Sequence, residues 1–381
     1  MKTPETSKLF TQKFDSVSGE SYYVLNERVA PYQKGFYFIN NSMTADGRYL
    51  WFVVQYPPLD QSFSHLAYID FETDEAVVCE DTVDGATYID PADGAAYFIY
   101  KADLFRRRPG KDQVTERLHR IPTRGVARSC ATHLTLTPDG KKFFLDIRSG
   151  IDNNDCGTLD LETGEFELWA SAPFWTDHGQ MNPVRDDIAL CAYDSGTDIE
   201  TGKVMRCPQD ENGVYQRLWT VTRDGVRTCY PPLNNYATHE WWNAKGDIFY
   251  YCCDNYGIYG IELATGKDVT ILEGWDPWHS HSTADDNLFV FDEKKLERYG
   301  GKWYRGCPAA VNLLNRKTGK VAVIVSEMPD NGHTPENPNN YHIDPHPRFN
   351  SNERYIVFTT SELGGCDLAI AVVDEVLPFT E

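Results

Sequence analysis

Five of the ten histidines stand at a common position in the sequence, four to eight residues before a turn signal. Each turn signal is Asp-Gly or a similar pair of polar or small residues, followed by a short aromatic and β-branched run. An imidazole can bind a divalent metal ion, and it can exchange a proton near neutral pH. If the residues before each turn face a common space, these histidines form a site. They are His133, His178, His239, His281 and His346.

Potential metal ligands are densest in two segments, Trp278 to Thr283 and Tyr341 to Arg348. Alternate residues of a strand share a face, so those of the second segment can point the same way, and a histidine of the first can reach them. Imidazole with carboxylate suits Mn, Fe, Zn or, less well, Ca. A hydrogen-bonded polar channel without metal is the alternative. The metal ligands we predict are His281, His342, Asp344 and His346.

A further group of residues suits the recognition of a sugar. The run from Tyr236 to Trp242 combines a histidine, an acid and two indoles, and indole faces stack on the C–H surfaces of a pyranose. Packing between repeats is the alternative for these indoles. Upstream, Arg217 lies in a strand-like run, where it could bind a carboxylate or form an outward-facing ion pair.

The elements that would position these residues are repeated. The seven turn signals begin at intervals of 47, 46 and 47 residues over the first three repeats, and a second hairpin turn follows most of them. About four strands per unit, repeated around an axis, make a β-propeller. We predict an all-β fold in which residues 1–381 form one seven-bladed β-propeller domain with four-stranded antiparallel blades; a sandwich is the alternative. The turns begin at Asp46, Asp93, Asp139, Asp186, Lys245, Asp285 and Asn352.

The ring of blades must close. The last unit provides strands at Tyr355 to Thr360 and at Asp367 to Val373, but little follows them. We predict that a strand near Tyr22 completes the last blade and removes two sheet edges. Because the first strand of each blade lines the central channel, the five histidines should converge at one mouth of that channel.

Composition excludes some functions. The chain carries 36 Lys plus Arg against 57 Asp plus Glu, a net charge of −21, which disfavours nucleic-acid and anionic-membrane partners. The ten cysteines form no C-x-x-C pair, which argues against a structural zinc cluster. No apolar h-region follows Met1 and no apolar run reaches a membrane-spanning length, so we expect a cytoplasmic protein. A leader outside this sequence would still allow a periplasmic form.

Five landmarks, in this order and spacing, resemble the oligogalacturonate lyases, which are seven-bladed propellers. The likeness spans roughly residues 175–360, and the first three blades match only in the repeat. The landmarks are His178-Gly-Gln180, Arg217-Leu-Trp219-Thr, His239-Glu-Trp-Trp, Ser280-His281-Ser and Asp344-Pro-His346-Pro-Arg-Phe.

The resemblance implies a cytoplasmic, pectin-degrading lyase that cleaves short uronate oligosaccharides by β-elimination with a manganese ion. It implies metal ligation by His281 and His346, proton abstraction by Arg217, and a place beside it for His239. We expect His178 to bind substrate or donate a proton to the departing oxygen. The substrate-binding residues we predict are His133, Gln180, Trp241, Tyr341 and Arg348.

Two departures from the family pattern concern metal and substrate. Where the family has Gln-x-x-His-Pro-His-Pro, this chain has Tyr341 for the Gln and Asp344 for the first His. Asp344 could replace an imidazole, His342 could be recruited, or the ion could change from Mn to Ca or Zn. Where the family has Cys-His-Glu-Gly-Pro, this chain has Cys191-Ala-Tyr-Asp-Ser-Gly, so another uronide is an alternative substrate, such as ulvan or a rhamnose–glucuronate linkage.

The chemistry of β-elimination leaves the base open. Removal of the C5 proton favours His239, because an arginine stays protonated unless its pKa is strongly depressed; Tyr341 is a further candidate. A non-catalytic propeller of the WD40 or TolB-like sort and a glycoside hydrolase with two carboxylates compete with the lyase. The sequence makes no prediction of oligomeric state.

Overall fold

The computed structural model describes residues 1–58, 64–83, 86–127, 129–149, 153–197, 202–233, 237–253, 256–294, 307–330, 332–334, 336–337 and 344–381. These residues form seven antiparallel sheets arranged as the blades of a β-propeller, which confirms the predicted fold class. No helix in these ranges is long and apolar enough to cross a membrane.

The first three blades each contain four strands in chain order from the channel outwards. They follow the N-terminal strands β1 (Phe10–Phe14) and β2 (Ser21–Leu25). Blade 1 is β3 (Tyr32–Lys34), β4 (Tyr49–Gln55), β5 (Ser64–Asp70) and β6 (Glu75–Val83). Blade 2 is β7 (Thr87–Ile89), β8 (Ala96–Tyr100), β9 (Asp103–Arg107) and β10 (Glu116–Arg120). Blade 3 is β11 (Thr135–Leu136), β12 (Lys142–Arg148), β13 (Asn154–Asp160) and β14 (Phe166–Ala172).

The next three blades have the same order, and blade 4 carries an extra hairpin of β17 and β18 between its second and third strands. Blade 4 is β15 (Thr176–Met181), β16 (Ile188–Tyr193), β17 (Gly196–Thr197), β18 (Val204–Met205), β19 (Leu218–Thr222) and β20 (Arg227–Tyr230). Blade 5 is β21 (Ala237–Trp242), β22 (Ile248–Cys253), β23 (Gly257–Glu262) and β24 (Asp268–Glu273). Blade 6 is β25 (Pro277–Ser282), β26 (Leu288–Lys294), β27 (Ala309–Asn315) and β28 (Lys320–Val325).

The last blade joins the two ends of the chain. It contains β29 (Arg348–Phe349), β30 (Tyr355–Thr360) and β31 (Asp367–Val372), followed by the helix α1 (Val373–Val376) and a 3-10 turn (Leu377–Thr380). β2 pairs antiparallel with β31, with Tyr23 opposite Ile370, and β1 then pairs with β2. The N-terminal segment therefore supplies the outer strands of this blade, and the ring closes through backbone hydrogen bonds.

The turn between the first and second strands shows why the repeat signal is so regular. In blade 1, Gly47 has a φ of 74°, in the left-handed region that glycine adopts without steric cost. The Thr44 hydroxyl donates to Asp46 Oδ1 over 2.7 Å, and the same oxygen accepts the Arg48 N–H over 2.9 Å. Asp-Gly is thus a local signal for this turn, readable without any tertiary information.

Aromatic side chains fill the spaces between blades. Between blades 5 and 6, the ring centroids of Tyr250 and Phe289 lie 5.1 Å apart, and Trp241 packs 5.4 Å from Tyr250. Trp241 is 2% exposed, and its Nε1 donates to Ser282 Oγ over 3.2 Å. This indole therefore packs between blades, the alternative that the sequence left open.

Candidate active site

The first strands of blades 4, 5 and 6 each carry a β-bulge at the same place. Two residues of the first strand face one residue of the second, which re-aims the side chains at that point into the channel. His178 and His239 adopt φ values of 55° and 51° there, a strained conformation for a non-glycine residue. The bulge pairs are His178 with Gly179, His239 with Glu240, and Trp278 with His279.

Four of the five predicted histidines gather around one tyrosine. Tyr37, which follows β3, has ring-centroid distances of 4.7, 5.0, 6.0 and 6.3 Å to His346, His133, His178 and His239. A further histidine, His279, lies 5.6 Å from the same ring. Burial raises the pKa of Tyr37 well above its ordinary value, so its phenol is neutral. We call this end of the channel, where the first strands begin, the histidine end.

Three residues at the histidine end could hold a metal ion. The candidate ligand atoms of His279, Asp344 and His346 all lie within 4.8 Å of one another, and the three side chains are buried. Two imidazoles and a carboxylate are a donor set that Mn, Fe and Zn accept. These residues therefore fit the divalent ion predicted from the sequence.

A carboxylate fixes one of these candidate ligands from behind. Asp292, on β26, faces the bulge of β25, and its Oδ2 lies 2.8 Å from His279 Nδ1. Its Oδ1 accepts the His279 backbone N–H over 2.6 Å. When Nδ1–H donates to Asp292, Nε2 carries the lone pair that a metal binds. The contact thus selects the ring orientation and tautomer that ligation requires.

The candidate metal group differs in one residue from the ligands predicted from the sequence. His281, which we predicted as a ligand, is not in the group; His279 takes its place. The reason is the bulge, after which β25 resumes regular pairing with His281 opposite Val290, about 6.6 Å further along the channel. Tyr341 and His342 lie outside the described residues.

A buried charge network lies beside the candidate metal ligands. His178 Nδ1 is 3.0 Å from Glu240 Oε1, and Arg217 Nη2 is 3.4 Å from the same His178 nitrogen. Arg217 Nη1 donates to Asp194 Oδ1 over 2.7 Å, and its Nε lies 3.9 Å from Glu240 Oε2. A guanidinium held between two carboxylates is a cation in place to bind or orient, not a free base.

The network sets opposite protonation for two neighbouring histidines. Burial alone would lower the pKa of His178, but the charge and hydrogen bond of Glu240 raise it above its ordinary value. Burial would raise the pKa of Glu240, but His178 and Arg217 lower it. Burial, with His279 and His178 nearby, lowers the pKa of His239 well below its ordinary value. The two rings, with centroids 6.0 Å apart, are therefore biased towards opposite protonation states.

His133 lies next to both Tyr37 and His178, with ring-centroid distances of 5.0 and 5.4 Å. Its side chain is buried, and both ring nitrogens lack a hydrogen-bond partner among the described residues. Burial, followed by the nearby His178, lowers its pKa to about 3. A neutral imidazole with two unused nitrogens, aimed into the channel, suits the substrate-binding role predicted for it.

Three other predicted residues lie elsewhere. Gln180, Trp241 and Arg348 line a separate cavity together with His281. This cavity lies at the far end of the channel, which we call the turn end because the first strands finish there in the turns at Asn243, Ala284 and Asn350. The structure therefore divides the predicted site residues between the two ends.

Several residues of the histidine end were not selected from the sequence. His279 and Glu240 lie inside the motifs, next to residues that were predicted. Asp194 lies in the segment that departs from the family pattern. Lys294 Nζ lies 3.6 Å from the Trp278 ring centroid. Tyr37, Asp292 and Lys294 carried no signal, because they lie outside the motifs.

Comparison with known proteins supports the fold at low sequence identity. A scan against protein-family models finds no match, and no curated protein matches the sequence. An oligogalacturonate lyase solved in complex with manganese has a TM-score of 0.73 at 19% identity over 98% of both chains. An oligogalacturonate lyase from Vibrio parahaemolyticus has a TM-score of 0.72 at 18% identity over 96% of both chains. The chain thus resembles the oligogalacturonate lyases in fold as well as in its sequence landmarks.

Proposed function

We propose that this protein is a metal-dependent lyase that cleaves short uronate oligosaccharides by β-elimination and releases a 4,5-unsaturated uronate. The observation that carries the proposal is the candidate metal group His279, Asp344 and His346 next to the network of His178, Arg217 and Glu240. The fold is one that oligogalacturonate lyases share, and one of them was solved with manganese. We expect the reaction to occur in the cytoplasm on oligosaccharides derived from pectin.

The first requirement of the reaction is an acidic C5 proton. A divalent ion, most simply Mn²⁺, on His279, Asp344 and His346 would neutralise the uronate carboxylate and stabilise the enediolate character that develops. Asp292 would hold His279 in the ligating tautomer. Arg217 is positioned to orient the same carboxylate or a neighbouring one in the chain.

The second requirement is a base and an acid on the two reacting atoms. We assign the base to His239, because its ring contacts the Thr238 hydroxyl over 3.2 Å and no carboxylate in the described chain. Arg217 is paired with two carboxylates and keeps its proton. His239 takes the C5 proton, the electrons form the C4–C5 double bond, and the C4–O bond breaks. His178, held protonated by Glu240, donates its proton to the departing oxygen.

One observation favours a uronide other than oligogalacturonate as the second candidate substrate. Asp194, in the segment where the family has a histidine and a glutamate, binds Arg217 directly. The segment keeps an acid but loses the histidine, which lowers the positive charge that faces the sugar chain. A substrate with a neutral sugar next to the uronate, as in ulvan or rhamnose–glucuronate chains, would fit such a rim better.

The test is ultraviolet absorbance during incubation with digalacturonate, trigalacturonate, and ulvan and rhamnose–glucuronate fragments, with manganese or with chelator. We expect an unsaturated-uronate band that the chelator abolishes and that His279→Ala prevents. His281→Ala is the matched control on the same strand and should retain the band. A flat trace on every uronide would overturn the lyase, and new reducing ends without a double bond would identify a hydrolase.

A further inference from the structure

The turn end of the channel contains a cavity of about 310 Å³ that the proposed elimination does not use. This volume is at the small end of the range for small-molecule sites. The cavity is bounded by the ends of first strands and by the turns that follow them in blades 4 to 7. Its lining includes Trp242, His281, Arg348 and Glu353.

Arg348 brings a positive charge into this cavity, and none of the described residues supplies a counter-ion. Its Nη1 donates to the backbone carbonyls of Phe38, over 2.8 Å, and Ile39. Its Nε is buried without a hydrogen-bond partner, and no carboxylate in the described ranges pairs with it. A guanidinium that is only partly exposed and has no acid beside it favours the binding of an anion.

The residues around Arg348 complete a site for a small sugar acid. His281 Nδ1 is buried and has no hydrogen-bond partner in the described chain. Trp242 offers a partly exposed indole, held in place because its Nε1 donates to the Gln180 carbonyl over 3.3 Å. The lining also contains one acid, Glu353, whose Oε1 accepts the Ala284 N–H over 2.6 Å.

We propose that this cavity is a second binding site, for a monosaccharide-sized carboxylate of the hexuronate class. Arg348 binds the carboxylate through its planar guanidinium, His281 adds a hydrogen bond, and Trp242 stacks on the sugar ring. A single guanidinium beside an indole suits a singly charged sugar acid better than a phosphate. The proposal stands without the lyase, because none of these residues takes part in the elimination.

The test is isothermal calorimetry on the full-length, metal-free protein with galacturonate monosaccharide, its methyl ester and galactose as ligands. We expect saturable binding of galacturonate, and binding at least ten-fold weaker for the methyl ester and for galactose. Arg348→Gln should weaken galacturonate binding at least ten-fold. The matched control is Arg117→Gln on the outer strand of blade 2, where the exposed side chain pairs with Asp103 at 2.7 Å, and it should leave this binding unchanged.

Three outcomes would overturn the proposal: no saturable binding to the wild-type protein, equal binding by Arg348→Gln, or an equal loss of binding in Arg117→Gln. Arg348 also ties down two backbone carbonyls, so thermal melting of each variant is measured first. If Arg348→Gln does not fold, His281→Ala and Trp242→Phe, which leave those backbone contacts intact, take its place. Unchanged galacturonate binding in both would then reject the site.

Discussion

The two arginines of the channel, Arg217 at the histidine end and Arg348 at the turn end, have opposite surroundings. Arg217 is 2% exposed and lies between Asp194 and Glu240, so its charge is balanced inside the protein. Arg348 contacts only neutral backbone carbonyls among the described residues. A balanced cation can orient and tune its neighbours without a ligand, whereas an unbalanced one favours binding an anion. The same residue type thus supports reaction chemistry at one end and ligand binding at the other.

The largest expected effect concerns the candidate metal ligands at the histidine end. His279→Ala removes one of three clustered donors, so we expect loss of bound manganese and at least about a 10³-fold loss of activity. Metal analysis of the purified variant and the ultraviolet assay measure both. His281→Ala, two residues away on the same strand, should keep its metal and stay within about three-fold of wild-type activity, since it lies beyond the bulge. Equal losses of metal and activity in the two variants would show that His281 belongs to the same site as His279, and that the two ends of the channel are not separate sites.

The next effect tests the charge balance around Arg217. Glu240→Gln keeps the shape but removes the charge that holds His178 protonated, so we expect kcat to fall about 10²-fold to 10³-fold. The buried hydrogen bond to a charged partner is also weakened, which should lower the free energy of unfolding by about 1.5–3 kcal/mol. Denaturant unfolding and steady-state kinetics separate the two. A variant with wild-type kcat would remove His178 from the mechanism.

A smaller effect is expected for Asp292, the residue that orients the candidate ligand His279. Asp292→Asn leaves all three ligand side chains in place but no longer selects the His279 tautomer by charge. Loss of such a carboxylate costs about 10-fold to 100-fold in metal affinity. Manganese titration by calorimetry measures the loss, and saturating manganese should restore most of the activity. Full loss of activity even at saturating manganese would show that Asp292 has a role beyond positioning His279.

The same residues show which features of the fold and of the site could be predicted from the sequence. The blades were predictable because each Asp-Gly turn is a local structure whose hydrogen bonds involve residues within five positions, as at Thr44 and Asp46. The choice between His279 and His281 was not predictable, because it depends on one extra residue in the pairing of β25 with β26. Strand alternation assumes regular pairing, so it fails wherever a bulge re-aims a side chain.

Contacts between segments that are distant in sequence are the other feature that could not be predicted. Tyr37 meets the histidines because the inner strands of blade 1 and of blades 3 to 7 face one channel, and nothing in its local sequence indicates that position. Asp292 belongs to the second strand of its blade, whereas the repeated histidine positions indicate first strands only. The unbalanced charge of Arg348 depends on which carboxylates lie nearby in space, which the sequence alone does not tell.

The smallest expected effect is a shift in the pH profile, which follows from the raised pKa of His178. The proton donor must be protonated, so kcat should fall as pH rises through this raised value. In Glu240→Gln the charge that raises the pKa of His178 is lost, and the alkaline limb should move to lower pH. By the same linkage, protonated His178 stabilises the fold below its unfolded pKa, and this contribution disappears as pH rises through the folded value. A pH profile of kcat for both proteins, at saturating manganese, measures the shift. An alkaline limb at the same pH in both would mean that a group other than His178 donates the proton, and the contrast between a balanced and an unbalanced arginine would then carry no catalytic consequence.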